Sequence, residues 1–162
     1  MTETDCFFCA ELGSAKNSVM EHELFSVRWD LVPLVPGHAE IIPKRHVQYF
    51  DDLTDEERSQ LGAVVKDAMA MIRRTNLVDL YRNLSKGADD RVRPYLEAAL
   101  EKSRHINTPP DAFNHGINDG PAAGQSVPHF HYHLIPRREG DVANPRGGIR
   151  RMFGEDDYSN GK

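Results

Sequence analysis

Residues 127–138 read "VPHFHYHLIPRR" and hold three of the chain's eight histidines at alternate positions, His129, His131 and His133. Phe130, Tyr132 and Leu134 stand in the gaps, so polar and apolar side chains alternate with the period of two that marks a strand with one buried face. On such a strand the three imidazoles share one surface, each step advancing about 6.6 Å, and the apolar three turn toward a core. Two neighbouring imidazoles can converge on one metal ion, whereas the outer pair, about 13 Å apart along the backbone, cannot. At least one histidine is therefore left for other chemistry. Pro136 is expected to end the strand.

Upstream, residues 24–29 and 39–42 read as two further short strands, with Pro33, Pro36 and Gly37 punctuating the turn between them. Thr54 followed by Glu57 forms a capping box, with Asp55 and Glu56 favourable in the first turn. Leu61, Val64, Val65, Ala68 and Ile72 then recur at helical spacing, which predicts an amphipathic helix over residues 55–74. "LVDLYRNL" and "RVRPYLEAALEKSR" also read as helices, the second placing Val92, Leu96, Ala99 and Leu100 on one face with Pro94 in its first turn. "AFNHGIN" returns to strand character. From about residue 139 the chain is rich in Gly, Pro and charge and reads as irregular. No repeat and no clear second domain is visible. The sum is one α+β domain, an antiparallel sheet with helices packed on it.

A length of 162 residues suits one domain with a core, and 39% hydrophobic residues is an ordinary globular share. The net charge of −5 argues against a general nucleic-acid binder. "MTETDCFFCA" has neither a positive nor an apolar leader region, and no apolar run is long enough to span a membrane. The expectation is a cytoplasmic protein without a membrane partner. Both cysteines, Cys6 and Cys9, form one C-x-x-C pair. Only five residues precede Cys6, too few for the strand that leads into a thioredoxin-like redox pair. Half of a zinc site remains, or two incidental thiols.

"GQSVPHFHYHLIPR" resembles the signature of the histidine triad (HIT) family. "VPGHAEIIPKRHV" is similar to that family's turn and strand ending in proline-lysine-x-histidine, "INDGPAAGQS" to its loop before the triad, and "GDVANPRGG" to the tail of a bacterial branch. The resemblance implies an antiparallel sheet carrying a long helix. It also implies action at the α-phosphate of a nucleoside phosphoanhydride or phosphoramidate, through a covalent nucleotidyl-histidine on the middle histidine, here His131. Neutral imidazole attacks without first losing a proton, and an ordinary pKa near 6.5 leaves it largely neutral at pH 7. Its other ring nitrogen then needs an acceptor, for which the resemblance suggests a backbone carbonyl.

By the same resemblance Gln125 and Ser126 donate to the phosphoryl oxygens. Asn118 and His133 contact the phosphate or the leaving group. Asp30 holds the ribose hydroxyls, a task suited to a carboxylate that accepts twice from a cis-diol, although a turn residue before Pro33 is the plain alternative. Phe8, with Phe7, offers an apolar wall for the base or belongs to the core. In branches with the N-terminal cysteine pair the remaining metal ligands resemble His46 and His129, giving a closed Cys₂His₂ zinc site of structural type. His22, His38, His105 and His115 are assigned to surface or turn positions. Arg137, Arg138, Arg146, Arg150 and Arg151 either reach further phosphates or form a solvated face.

Residues 76–111 depart from the family pattern as a helical insertion, expected to cover the active site, widen a dimer interface or form a side lobe. The implied partners are an adenine nucleotide and a second copy of the chain in a homodimer. An expectation of another class is a non-catalytic, zinc-stabilised nucleotide sensor or partner-binding module.

Overall fold

The computed structural model describes residues 5–14, 17–103 and 105–149. Helix α2 (Asp55–Arg74) has the bounds that its own sequence sets. Thr54 Oγ1 accepts from the Glu57 N–H at 3.1 Å while the Glu57 carboxylate accepts from the Thr54 N–H at 2.8 Å, closing the capping box, worth about 1 kcal/mol. Acidic Asp55, Glu56 and Glu57 at one end and Arg73 and Arg74 at the other complement the helix dipole. Leu61, Val64, Ala68 and Ile72 form its buried stripe.

That stripe packs on a five-stranded sheet made of β1 (Ser18–Glu21), β2 (Phe25–Trp29), β3 (Ala39–Pro43), β4 (Ala112–Gly116) and β5 (Tyr132–Arg137). The spatial order is β1-β2-β3-β5-β4, with every neighbouring pair antiparallel. Phe25, Val27 and Trp29 of β2, Ala39 and Ile41 of β3 and Leu134 of β5 face α2 in the main core, joined by Phe130. Each such side chain contributes on the order of 1.5–3 kcal/mol by leaving water. The intervening residues Arg28, Glu40, Ile42 and His133 occupy the opposite face. There α1 (Phe7–Ser14) covers part of the sheet, Phe8 and Cys6 closing over Ile42.

The insertion forms two helices, α3 (Leu77–Gly87), capped by the Asn76 side chain, and α4 (Arg93–Lys102), with Pro94 in its first turn. Leu77, Tyr81, Leu96 and Ile106 make a cluster of their own. The buried Tyr81 hydroxyl also accepts from the Gly37 N–H at 2.9 Å, tying α3 to the turn before β3. Gly37 has φ of +89°, and a Cβ there would stand 3.2 Å from Pro136 Cγ and 3.3 Å from Leu77 Cδ1, so that turn admits glycine alone without strain.

Four expectations are corrected. Helix α1 and strand β1 carry no signal in the sequence: α1 has little periodicity and β1 is four residues long. Regular pairing on β5 starts at Tyr132, so His129 and His131 precede the strand instead of lying on it. Pro43 is the reason on the β3 side, since it has no N–H to extend the ladder toward Phe130, whose own N–H donates to the Val47 carbonyl at 2.6 Å. Pro136 does not end β5. The β3 ladder stops at Leu134, so a proline two residues on removes no hydrogen bond from that edge. His38 is buried rather than a surface or turn residue, at 5% exposure. From residue 139 to 149 there is no strand or α-helix, and among the described residues no helix is long and apolar enough to cross a membrane.

Candidate metal centre and transfer cleft

Cys6 lies at the entrance to α1 and Cys9 one turn into it, so both sulfurs project from the same helix end. His46 follows β3, and His129 lies at a bend before β5, its N–H donating to the Val127 carbonyl at 2.8 Å. The structure brings these four together. Cys9 Sγ is 3.2 Å from His46 Nδ1, and Cys6 Sγ and Cys9 Sγ are each 3.5 Å from His129 Nδ1. All four candidate ligand atoms fall within 4.8 Å of one another. Ligands about 2.1–2.3 Å from a tetrahedral ion stand roughly 3.4–3.8 Å apart, so the donor set and its spacing fit such a centre. The second ring nitrogen of His129 donates to the Pro43 carbonyl at 3.0 Å. This leaves Nδ1 bare, as a metal ligand must be, and it fixes the ring.

Two residues on, His131 packs against the same Phe8 ring as His129 but lies next to His133 rather than the cysteines. Its Nδ1–H donates to the His129 carbonyl at 2.8 Å, which leaves Nε2 as the free lone pair. The ring is 3% exposed and stands 5.3 Å from Phe8 and 4.9 Å from His133, centroid to centroid. Burial pulls its pKa below the ordinary value, against the opposing bond to the His129 carbonyl, so the ring is neutral at pH 7.

His133 is held by a line of partners, Asp30 and His38, that no spacing in the sequence links to it. Asp30 Oδ2 is 3.1 Å from His38 Nδ1, and His38 Nε2 is 3.1 Å from His133 Nδ1. The Leu34 N–H donates to His38 Nδ1 at 3.3 Å, and one of the two facing ring nitrogens, His38 Nε2 or His133 Nδ1, donates to the other. Burial pushes the His133 pKa down to about 4, and neighbouring His131 and His38 add to this.

Of these groups Asp30 and His133 line a cleft of about 1070 Å³, while His131 and His38 stand behind that lining, His131 against Phe8 and His133. Phe8, Asp30, Ser126 and His133 line it; Asn118 and Gln125 do not. The Gln125 amide accepts from the Gly120 N–H at 3.2 Å and donates to the Gln48 carbonyl at 2.9 Å, so it braces the loop that presents Ser126. Asn118 is exposed. Asp30 Oδ1 accepts from the Val32 N–H at 2.8 Å, a turn bond made while the carboxylate still faces the cleft. Phe8 is 2% exposed, packed edge-on against His129 and His131, whereas Phe7 is 49% exposed and offers its ring to the same space.

Two further cleft residues went unnoticed in the sequence. Arg28 is 3% exposed and sits over the Phe7 and Phe8 rings at 5.1 and 5.2 Å. Its Nε lies 3.5 Å from Glu40 Oε2 and its Nη1 3.8 Å from Glu11 Oε2, and neither atom makes a hydrogen bond. Glu40 is 8% exposed, and burial, reinforced by the charge of Asp30, pushes its carboxyl up to about 8 against the pull of Arg28. The available signal was the phase of the strands, since charged residues fall at alternate positions to the core residues Val27, Ala39 and Ile41. The far wall of the cleft comes from the insertion, including Asn83, Leu84, Arg91 and Tyr95.

None of the described basic tail residues lines this space. Arg137 makes a two-pronged bridge to Asp141 at 2.7 Å, Arg138 is buried against the Thr108 carbonyl at 2.9 Å, and Arg146 is exposed. Arg150 and Arg151 lie outside the described residues.

The sequence pattern of the HIT domain matches residues 12–140. A bis(5'-nucleosyl)-tetraphosphatase (asymmetrical) of Schizosaccharomyces pombe is 34% identical over 114 residues, 70% of this chain and 45% of that protein. An AP-4-A phosphorylase of Mycobacterium tuberculosis (strain H37Rv) is 31% identical over 114 residues, 70% of this chain and 42% of that protein. The chain thus spans less than half the length of either enzyme. A zinc-bound histidine triad family protein from Mycobacterium smegmatis superposes with a TM-score of 0.56 at 28% identity, covering 88% of this chain and 82% of that one. The matched span holds the sheet, α2, His38, the Gly120–Ser126 loop and all three alternating histidines, and the chain belongs to the HIT domain family.

Proposed function

We propose that the protein is a nucleotide hydrolase or nucleotidyltransferase acting at the α-phosphate of a nucleoside phosphoanhydride or phosphoramidate, with His131 as covalent nucleophile. The observation that carries this reading is the His131–His129 hydrogen bond. It fixes the tautomer of a neutral, buried imidazole and leaves Nε2 free beside the cleft. Nε2 attacks phosphorus, the N–P bond forms, and the bond to the leaving group breaks with its electron pair on the departing oxygen or nitrogen, which is protonated. Water or a second acceptor then displaces His131 and releases the nucleotide. His133, aligned by His38 and Asp30, gives its Nε2 proton to the leaving group and takes one back from the water or acceptor that displaces His131.

Ser126 and the backbone beside it donate to the phosphoryl oxygens. Gln125 acts one step back, by holding that loop. Asp30 receives the ribose hydroxyls and the exposed Phe7 ring flanks the base. The names of the relatives favour adenine dinucleotides among the substrates to be tried, and one hydrolase and one phosphorylase among them leave water and phosphate as acceptors. Cys6, Cys9, His46 and His129 would hold a structural zinc, which supplies no reacting group and anchors the segment whose carbonyl orients His131. The assembly proposed is a homodimer; light scattering after size-exclusion chromatography should give twice the chain mass.

The test is intact-protein mass spectrometry during turnover of diadenosine tetraphosphate or adenosine phosphoramidate. A transient nucleotidyl adduct is expected on the wild type and none on His131→Ala, which should still bind AMP. Unchanged turnover by His131→Ala would falsify the nucleophile assignment.

A further inference from the structure

Glu40 is a buried carboxyl in the transfer cleft to which nucleotidyl transfer assigns no task. It sits at the centre of the sheet face, paired in register with Arg28 on β2 and with His133 on β5. A carboxylate oxygen and one ring nitrogen each of His131 and His133 lie within 4.8 Å of one another. A phosphorus poised for attack stands about 3–3.5 Å from the attacking nitrogen, so its oxygens fill the space that Glu40 faces.

An ionised carboxylate can only accept hydrogen bonds, and so can the phosphate oxygens. Two such groups across a pocket poor in water repel, whereas a neutral carboxyl has one O–H to donate. The charged and titratable groups around Glu40 decide which form is present. Arg28 approaches from β2 at 3.5 Å, Asp30 lies just beyond β2, and His131 and His133 approach from the β5 side. Glu11 of α1 stands on the far side of Arg28, and Asp89 and Arg91 line the same cleft. Arg28 is the counterion that would hold Glu40 ionised, yet it is divided between Glu40 and Glu11 and gives Glu40 no hydrogen bond. Burial and Asp30 act the other way. A nucleotide phosphate adds a further negative charge and closes the pocket to water.

We propose that Glu40 meets the α-phosphate as a neutral carboxyl that donates a hydrogen bond to a phosphoryl oxygen, so that nucleotide binding at alkaline pH takes up one proton from solvent onto Glu40. Arg28 is its positioning residue, and the inference rests on the nucleotide reading of the cleft. The only bond made besides the hydrogen bond is the carboxyl O–H, its proton supplied by buffer. Groups with a phosphorus-bound anion at this position are thereby favoured over those that place a donor there.

The experiment is calorimetric binding of adenosine 5'-methyl phosphate, a diester with one fixed negative charge, in two buffers of different ionisation enthalpy at about pH 9. Wild type should take up about one proton per nucleotide, and Glu40→Gln should bind with an uptake near zero. Equivalently, wild-type affinity should weaken about tenfold per pH unit above the Glu40 pKa of about 8. Binding without proton uptake in the wild type, or the same uptake in Glu40→Gln, overturns the proposal and leaves His131 chemistry untouched. Should Glu40→Gln fail to fold, the wild-type series decides alone, and an affinity flat from about pH 7 to 10 overturns it. Failure of the diester to bind the wild type at all defeats the nucleotide reading, and this inference with it.

Discussion

The carbonyl of His129 lies 2.8 Å from Nδ1 of His131, so one residue offers its ring to the cysteine cluster and its backbone to the buried imidazole of the cleft. The two sites share a peptide. Any shift of His129 changes where His131 points, and misplacement by about an ångström is enough to cost on the order of 100-fold in rate.

Cys9→Ser and His46→Ala should therefore lower activity although neither residue lines the cleft. A rate loss of about 10–100-fold is expected, with one equivalent of zinc in the wild type and less than one in the variants. Native mass spectrometry measures the metal and steady-state assays the rate. Full activity in a variant shown to be metal-free would separate the two sites.

Acid should destabilise the fold before carboxylates are protonated. The His133 pKa falls from 6.5 to about 4, chiefly through burial and then through His131 and His38; burial likewise lowers His38, against the pull of Asp30. A histidine whose folded pKa is depressed contributes its stability above the unfolded value and loses it as pH falls toward the folded one. For His133 that window runs from about 6.5 down to about 4 and is worth up to about 3 kcal/mol. Urea unfolding at about pH 7 and 4.5 should show the loss, and His133→Asn should show less of it. Equal stability of the wild type at both values would mean that the ring is not held neutral.

Tyr81→Phe deletes the acceptor of the buried Gly37 N–H and should cost about 1–3 kcal/mol. The same turn leads into His38, so a fall in activity of a few-fold is expected alongside. A variant as stable as the wild type in urea titrations would show that the N–H finds another partner.

Gly37→Ala should be at least as harmful, because the new Cβ meets Pro136 and Leu77 at a backbone angle that L-residues avoid. A loss of about 1–3 kcal/mol is expected from the angle alone. Thermal unfolding measures it, and an unchanged midpoint would place the turn in a different conformation.

How much of this was legible depends on how local each cause is. Helix α2 could be read to the residue because its charges and stripe lie within its own twenty residues and its cap, Thr54, immediately before them. The cysteine half-site was visible as a pair, but His46 and His129 joined it through family resemblance, since no spacing rule links residues so far apart. Arg28 and Glu40 went unnoticed because a strand shows which face a charge occupies and not whether another element covers that face. Here α1, itself too weakly periodic to detect, does the covering. His38 went the same way: a histidine after Pro-Gly reads as a turn residue until Asp30 and His133 are seen on either side of it.

The contact between Cys6 and His129 spans 123 positions of sequence, and β3 meets β5 only after the whole α3–α4 excursion. Neither the cysteine cluster nor the cleft can assemble until synthesis has passed β5. A ribosome-bound chain can form the β2–β3 hairpin and α2 early, but its thiols wait. A metal ion bound across that separation would close a loop of more than a hundred residues and remove about 4–5 kcal/mol of freedom from the unfolded ensemble, on the scale known for covalent cross-links. Loss of the ion would then be felt as lowered stability of the folded chain against unfolding, by about that amount.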